Sequence, residues 1–217
     1  MPQDNEIRPQ KPEGDTTVGL QNGIFTYRIP DTDLAHGSSL GNAHAWAASK
    51  ATGALESLFN TDIGRKVTGS LVVNIFAPYR DLLLYSRREA ELHEMGADTI
   101  VRLTTTGPGT FTIHPAYQEH SYSLINDIHV TETFFLPNTG FDDPAAAIQI
   151  IDIENLSTWE QSLAVIGCLY LPGDTNKDIQ TRFDRGLGAV IAWNQDNPDW
   201  VRAFASLPDP DAYLVTH

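Results

Sequence analysis

The chain has 217 residues, enough to bury one sizeable core, and its 28 acidic side chains against 14 basic ones give a formal charge of -14. A field of that sign repels nucleic acid and anionic membrane surfaces, so neither is an expected partner. The one cysteine, Cys168, excludes an internal disulfide, which fits a reducing compartment. The first residues, MPQDNEIRPQ, have no apolar leader core, and no run reaches the ~18 apolar residues of a membrane span. A cytoplasmic location is therefore expected.

In chain order, residues 1–18 are polar and proline-containing and read as a disordered leader. Residues 19–217 read as one domain. Gly23 to Ile29 is a first strand, closed by Pro30. Leu40 to Leu58 is alanine-rich, but Lys50-Ala51-Thr52-Gly53 makes a hairpin turn, so two strands are expected there. Val67 to Phe76 is a strong strand ended by Pro78, and Leu82 to Tyr85, Ala90 to Glu94 and Thr99 to Thr105 are shorter ones. Gly107-Pro108-Gly109 is a tight turn before the strand Thr110 to His114.

The densest signal runs from Asp127 to Leu171. Three period-2 runs rich in β-branched residues are separated by turns around Pro137–Pro144 and at Asn155-Leu156-Ser157. They predict a three-strand meander with Cys168 buried in its last strand. Both faces are rather apolar, which predicts a sheet covered on both sides. Ile179 to Phe183 and Leu187 to Trp193 follow as strands. Asn197 to Leu207 fits either a helix capped by Asn197 with Pro198 in its first turn, or a strand. About a dozen strands at this spacing make an all-β, antiparallel β-sandwich.

His114, His120 and His129 have no close pair of the kind metal sites use, so no metal and no cofactor is expected. Asp174-Thr175-Asn176-Lys177-Asp178 opens like a calcium loop. Ile179 stands where that loop needs glycine and Arg185 where it needs glutamate, so it reads as a polar turn. No G-x-S-x-G elbow and no phosphate loop is present. Aromatic faces suit the apolar face of a sugar ring. The segment from His114 to Tyr122 reads as a polar-aromatic loop and a ligand-facing edge. Candidate carbohydrate contacts are His114, Tyr117, Glu119, His120, Tyr122 and Trp159, and no catalytic residue is expected.

Several segments carry a family resemblance. Ile128-His129-Val130 through Phe135-Leu136-Pro137 is similar to a strand ending in V-P. Ile148 to Ser157, with Glu154-Asn155-Leu156-Ser157, is similar to an L-x-N-x-S strand and turn, and Leu163-Ala164-Val165 follows as an L-x-V strand. Asn197-Pro198, Arg202, Ala203-Phe204 and Ser206 look like an N-P-x(n)-R-x-A-F-x-x-S segment. Together, over about residues 20–215, they resemble the N-terminal supersandwich domain, galactose-mutarotase-like in fold, of cellobiose-phosphorylase-type glycoside phosphorylases and related glycoside hydrolases. The family's H-G-x-G-Y element has only His120-Ser121-Tyr122 as its nearest text, without the glycines. The resemblance implies a non-catalytic accessory domain that shapes a glucan site, supports homodimerisation and packs on an (α/α)6 catalytic barrel. No helical repeat occurs in this sequence, so a chain truncated before that barrel is the expectation. Two alternatives are a stand-alone carbohydrate-binding module and a mutarotase-like epimerase. The epimerase would pair His120 with Glu132 or Glu119 in one concave sheet.

Overall fold

A computed structural model describes residues 19–21, 24–28, 38–42, 44–49, 55–61, 64–89, 99–107, 109–137, 145–171, 179–195 and 197–214. The leader, the Lys50–Gly53 turn, the Ala90–Glu94 strand and the Asp174–Asp178 loop lie outside these residues.

Among the described residues, sixteen strands make three antiparallel sheets. The first sheet contains β1 (Gly19–Gln21), β2 (Ile24–Arg28), β9 (Thr110–Ile113), β10 (Tyr117–Leu124), β11 (Ile128–Phe135) and β12 (Ile148–Asn155), in that spatial order. The second has the order β13 (Ala164–Leu169), β7 (Leu71–Pro78), β5 (Leu55–Asn60), β4 (Ala45–Ser49), β3 (Ser38–Gly41), with β6 (Arg65–Thr68) on β5 and β8 (Ile100–Arg102) on β7. The third is β14 (Ile179–Asp184), β15 (Ala189–Asn194) and β16 (Asn197–Ala205). Helix is confined, among the described residues, to a 3-10 turn at Tyr79–Asp81 and α1 (Leu84–Glu89). No helix there is long and apolar enough to cross a membrane.

The first two sheets stack face to face through two apolar clusters. One joins Ile75 and Ala77 of β7 and Val101 of β8 to Leu124, Ile128 and Val130 of β10 and β11, with Ile151 and Ile153 of β12 against it. The other joins Ala45, Ala47, Leu55 and Leu58 of β4 and β5 to Phe134 and Leu136. Alternation produces this arrangement. Even-numbered positions on β11 are buried and odd-numbered ones half-buried, so the strand has one core face and one outer face. The fold is an all-β, antiparallel sandwich, as the sequence predicts.

Five details correct the sequence reading. The meander does not stay in one sheet: β12 pairs β11 at the edge of the first sheet, whereas β13 crosses to pair β7 in the second. Nor are its strands covered on both faces, since Ile148, Ile150, Val165 and Ile166 are exposed. Cys168 is exposed rather than buried. The Val67–Phe76 run is broken at Gly69, where a Cβ would stand 2.5 Å from the Tyr170 ring. The Gly69 N–H donates to the Tyr170 carbonyl and the Tyr170 N–H to that of Ser70, each at 2.8 Å. Leu82–Tyr85 is not strand: its end opens α1. Asn197–Leu207 resolves to strand, because β16 pairs β15 along its length.

The β10–β11 turn is a fixed point of the fold. Asn126 and Asp127 have φ of 73° and 57°, a left-handed conformation that Asn and Asp tolerate best among side-chain-bearing residues. The fully buried Asn126 accepts from the Leu83 N–H at 2.5 Å through Oδ1. Its Nδ2 donates to Gln161 Oε1 and, at 3.2 Å, to the Asp81 carbonyl. Gln161 Nε2 returns a bond to the Asn126 carbonyl at 2.9 Å. One side chain thus ties the hairpin to the segment before α1 and to the β12–β13 crossover. Asn155-Leu156-Ser157 is an Asx turn, with Ser157 N–H donating to Asn155 Oδ1 at 3.0 Å and Asn155 Nδ2 to the Trp159 carbonyl at 2.7 Å. The third sheet reaches the second through buried Arg202, whose Nη1 lies 3.5 Å from the Val67 carbonyl, and through Phe204, whose ring lies against Gly167.

Candidate functional site

The segment His114 to Tyr122, expected to be a loop, is mostly the strand β10. That correction divides the candidate residues, because a strand sends alternate side chains to opposite faces. The register sets Glu119 between Thr112 of β9 and Thr133 of β11, and His120 directly opposite Glu132.

Gln118, His120, Tyr122 and Glu132 face the second sheet and form a polar layer between the two apolar clusters. Glu132 is 6% exposed and His120 7%. Tyr122 Oη donates to Glu132 Oε1 and Gln149 Nε2 to Glu132 Oε2, both at 2.6 Å. The His120 ring lies 4.6 Å from that of Tyr122. It also sits where a side chain on Gly109 would be, 2.7 Å from the Cβ position there, so the glycine makes room for the imidazole. Ser49 Oγ of β4 donates to Gln118 Oε1 across the sandwich, which closes this side of the layer. Gln118 Nε2 and Gln149 Oε1 are buried without a hydrogen-bond partner.

Burial raises the pKa of Glu132, and the Tyr122 and Gln149 bonds pull it down less strongly. Tyr122 is also raised, by burial first and then by the Glu132 charge and hydrogen bond, with Arg102 opposing. The phenol is therefore a donor to the carboxyl at any physiological pH. His120 and Glu132 do come together in one sheet, as an epimerase would need. They meet under the second sheet, where a sugar reaches neither without parting the sandwich.

The outer face is different in kind. Tyr117, Glu119, Ser121 and Ser123 alternate with the buried set on β10. They lie beside Thr110 and Thr112 of β9 and His129, Thr131 and Thr133 of β11. His114 donates its N–H to the Tyr117 carbonyl at 2.9 Å, and the two rings stack with centroids 4.0 Å apart and planes 14° apart. The His129 imidazole bridges two hydroxyls, with Nε2 3.0 Å from Ser121 Oγ and Nδ1 3.2 Å from Ser123 Oγ. Asp152 and Glu154 flank Thr131 and His129 on β12. The result is a half-exposed field of hydroxyls and carboxylates with one flat aromatic pair at its end.

Trp159 is 45% exposed but belongs to neither group. It sits on the β12–β13 crossover beside Asn155, the opposite end of β12 from Ile148, whose row holds Tyr117. At ~3.3 Å per residue that end is roughly 20 Å away. Of the six candidates, His114, Tyr117 and Glu119 share the outer face, His120 and Tyr122 the buried layer, and Trp159 stands apart. The sequence reading passed over Gln118, Gln149 and Ser49 in the layer, and Thr112, Thr133 and Ser121 on the face. The alternation of Tyr117-Gln118-Glu119-His120-Ser121-Tyr122-Ser123 was the available signal, since reading it as strand separates the two sets.

No family model, no curated protein and no solved structure matches this chain.

Proposed function

We propose that this chain is the non-catalytic accessory sandwich of a carbohydrate-active enzyme, a glycoside hydrolase or phosphorylase acting on glucans. It meets the sugar chain on the outer face of its six-stranded sheet. The His114–Tyr117 stack carries the reading: the two half-buried rings pack face to face, and the outward ring face of such a stack is the flat apolar surface that a pyranose face covers. Glu119, Thr112 and Thr133 alongside supply acceptors and donors for sugar hydroxyls. The sandwich architecture and the order of the segments that resemble the supersandwich domain support the same reading. A stand-alone carbohydrate-binding module would use the same face. The epimerase reading is disfavoured by the closure of the His120–Glu132 layer.

Calorimetric titration with β- and α-linked gluco-oligosaccharides tests the proposal. Binding that Tyr117→Ala abolishes while the fold is retained is the expected result. Equal affinity in wild type and variant, or no binding to any glucan, overturns it.

A further inference from the structure

Side chains directly opposite on an antiparallel sheet, and their diagonal neighbours two residues on, come within reach of each other. The β10–β11 hairpin uses both relations at His129. That residue stands opposite Ser123 and diagonal to Ser121 on the outer face. Its Nε2 lies 3.0 Å from Ser121 Oγ and its Nδ1 3.2 Å from Ser123 Oγ. A hydroxyl bonded to a base whose second nitrogen is held by a third group is the arrangement that activates a serine. Such a set is recognised by geometry and roles, whatever the fold or local motif. Ser121 is the better placed of the two hydroxyls. It is half-buried, and the register sets Thr110 of β9 and Thr131 of β11 on either side of it. Ser123 is exposed and lies beyond the last β9–β10 pair. Glu154 of β12 stands opposite His129 on the side away from the serines.

We propose that Ser121 and His129 form an acyl-transfer site that hydrolyses small carboxylic esters. The reactive tautomer carries its proton on Nδ1, donated to Ser123, so that Nε2 accepts from the Ser121 O–H. Ser121 Oγ attacks the ester carbonyl carbon while its proton passes to Nε2. The carbonyl π pair moves onto oxygen, and the Thr110 and Thr131 hydroxyls beside Ser121 are the donors that meet this oxyanion. That pair then returns, the bond to the alkoxy oxygen breaks, and Nε2 gives its proton to the departing alcohol. Water attacks the acyl-serine with Nε2 as base. The carboxylic acid leaves, and Ser121 Oγ recovers a proton from Nε2. The Glu154 charge favours the imidazolium present between the proton transfers. Ser123 is a positioning residue. No glycosidic bond is touched, so this inference does not draw on the glycan reading and stands or falls apart from it.

A fluorophosphonate probe, which phosphonylates base-activated serines with loss of fluoride, tests the wild-type 217-residue chain without any variant. Peptide mass spectrometry is expected to place a single label on Ser121. With p-nitrophenyl acetate as substrate, the wild type should release p-nitrophenolate faster than buffer. Ser121→Ala should lose both label and turnover. His129→Gln, which keeps a hydrogen-bonding side chain but cannot carry the proton, should lower turnover about 100-fold or more. Ser123→Ala should lower kcat with KM unchanged, and Ser123→Thr should restore it, a split that a merely structural hydroxyl would not produce. Each variant should keep the wild-type far-UV circular dichroism spectrum. A wild type that takes no label, a label spread over other residues, or turnover that survives in Ser121→Ala overturns the proposal.

Discussion

The two faces of β10 and β11 hold similar chemistry in opposite conditions. On the inner face, a carboxyl, a phenol, an imidazole and two amides are packed between apolar clusters, and Glu132 is held by two 2.6 Å bonds. On the outer face, a carboxylate, hydroxyls and two imidazoles lie half exposed on a field without such closure. Bonds in the layer are strong because water is excluded, and losing one partner there strands another. The same groups outside keep their bonds to water and remain available to a ligand. Residue type alone therefore does not separate a structural polar group from a binding one; the parity of its position on the strand does.

The largest effect should come from emptying the layer. Glu132→Ala removes the acceptor for both Tyr122 and Gln149 and leaves a void, so a loss of about 3 kcal/mol or more is expected in urea unfolding. A change below about 1 kcal/mol would show that the layer is wet and the contrast between the faces weaker than described.

Next comes the hub at the hairpin turn. Asn126→Ala takes away bonds to Leu83, Asp81 and Gln161 and leaves alanine in a left-handed conformation. A cost of about 2–3 kcal/mol is expected. Amides of the β12–β13 crossover should lose exchange protection first, and uniform loss across the sandwich would contradict the local tie.

A smaller effect appears in pH dependence. The folded pKa of Glu132 is raised, so the folded state holds its proton to higher pH than the unfolded chain does. Its contribution is full below the ordinary carboxylate value and is lost as pH rises through the folded value. Glu132→Gln should flatten stability across that window, because a neutral amide replaces the titrating group. General charge repulsion also eases on acidification, so the difference between wild type and Glu132→Gln is the quantity that counts. Identical pH profiles for the two proteins would contradict the assignment.

The smallest stability effect is expected outside. Tyr117→Ala should stay within about 0.5 kcal/mol of wild type while removing glycan binding. A large loss of stability would make the His114–Tyr117 stack a packing feature rather than a platform.

Much of the architecture was legible in the sequence. The period-2 runs at Ile128–Phe135 and Ile148–Asn155 identified their strands, because alternate burial is written directly into composition. The turn at Asn155-Leu156-Ser157 was legible because asparagine and serine bond their own backbone locally. Segments whose conformation depends on remote partners were not. Leu82–Tyr85 has strand-like residues, but it leads into α1 beside the Asn126 side chain, which bonds Leu83 from 43 residues away. The break at Gly69 is set by Tyr170, from the far end of β13.

The sequence by itself determined the all-β class, the strand-rich centre and the absence of charge on the strand Ala164–Leu169, since each follows from local pattern and composition. Only the tertiary structure decided that β12 and β13 part into different sheets and that Cys168 is exposed. It alone placed His120 and Tyr122 inside while His114, Tyr117 and Glu119 stay outside. The physical reason is that strand pairing joins distant segments. A pattern of period two states that a strand has two faces, and only the second sheet, laid across one of them, determines which face is the interior.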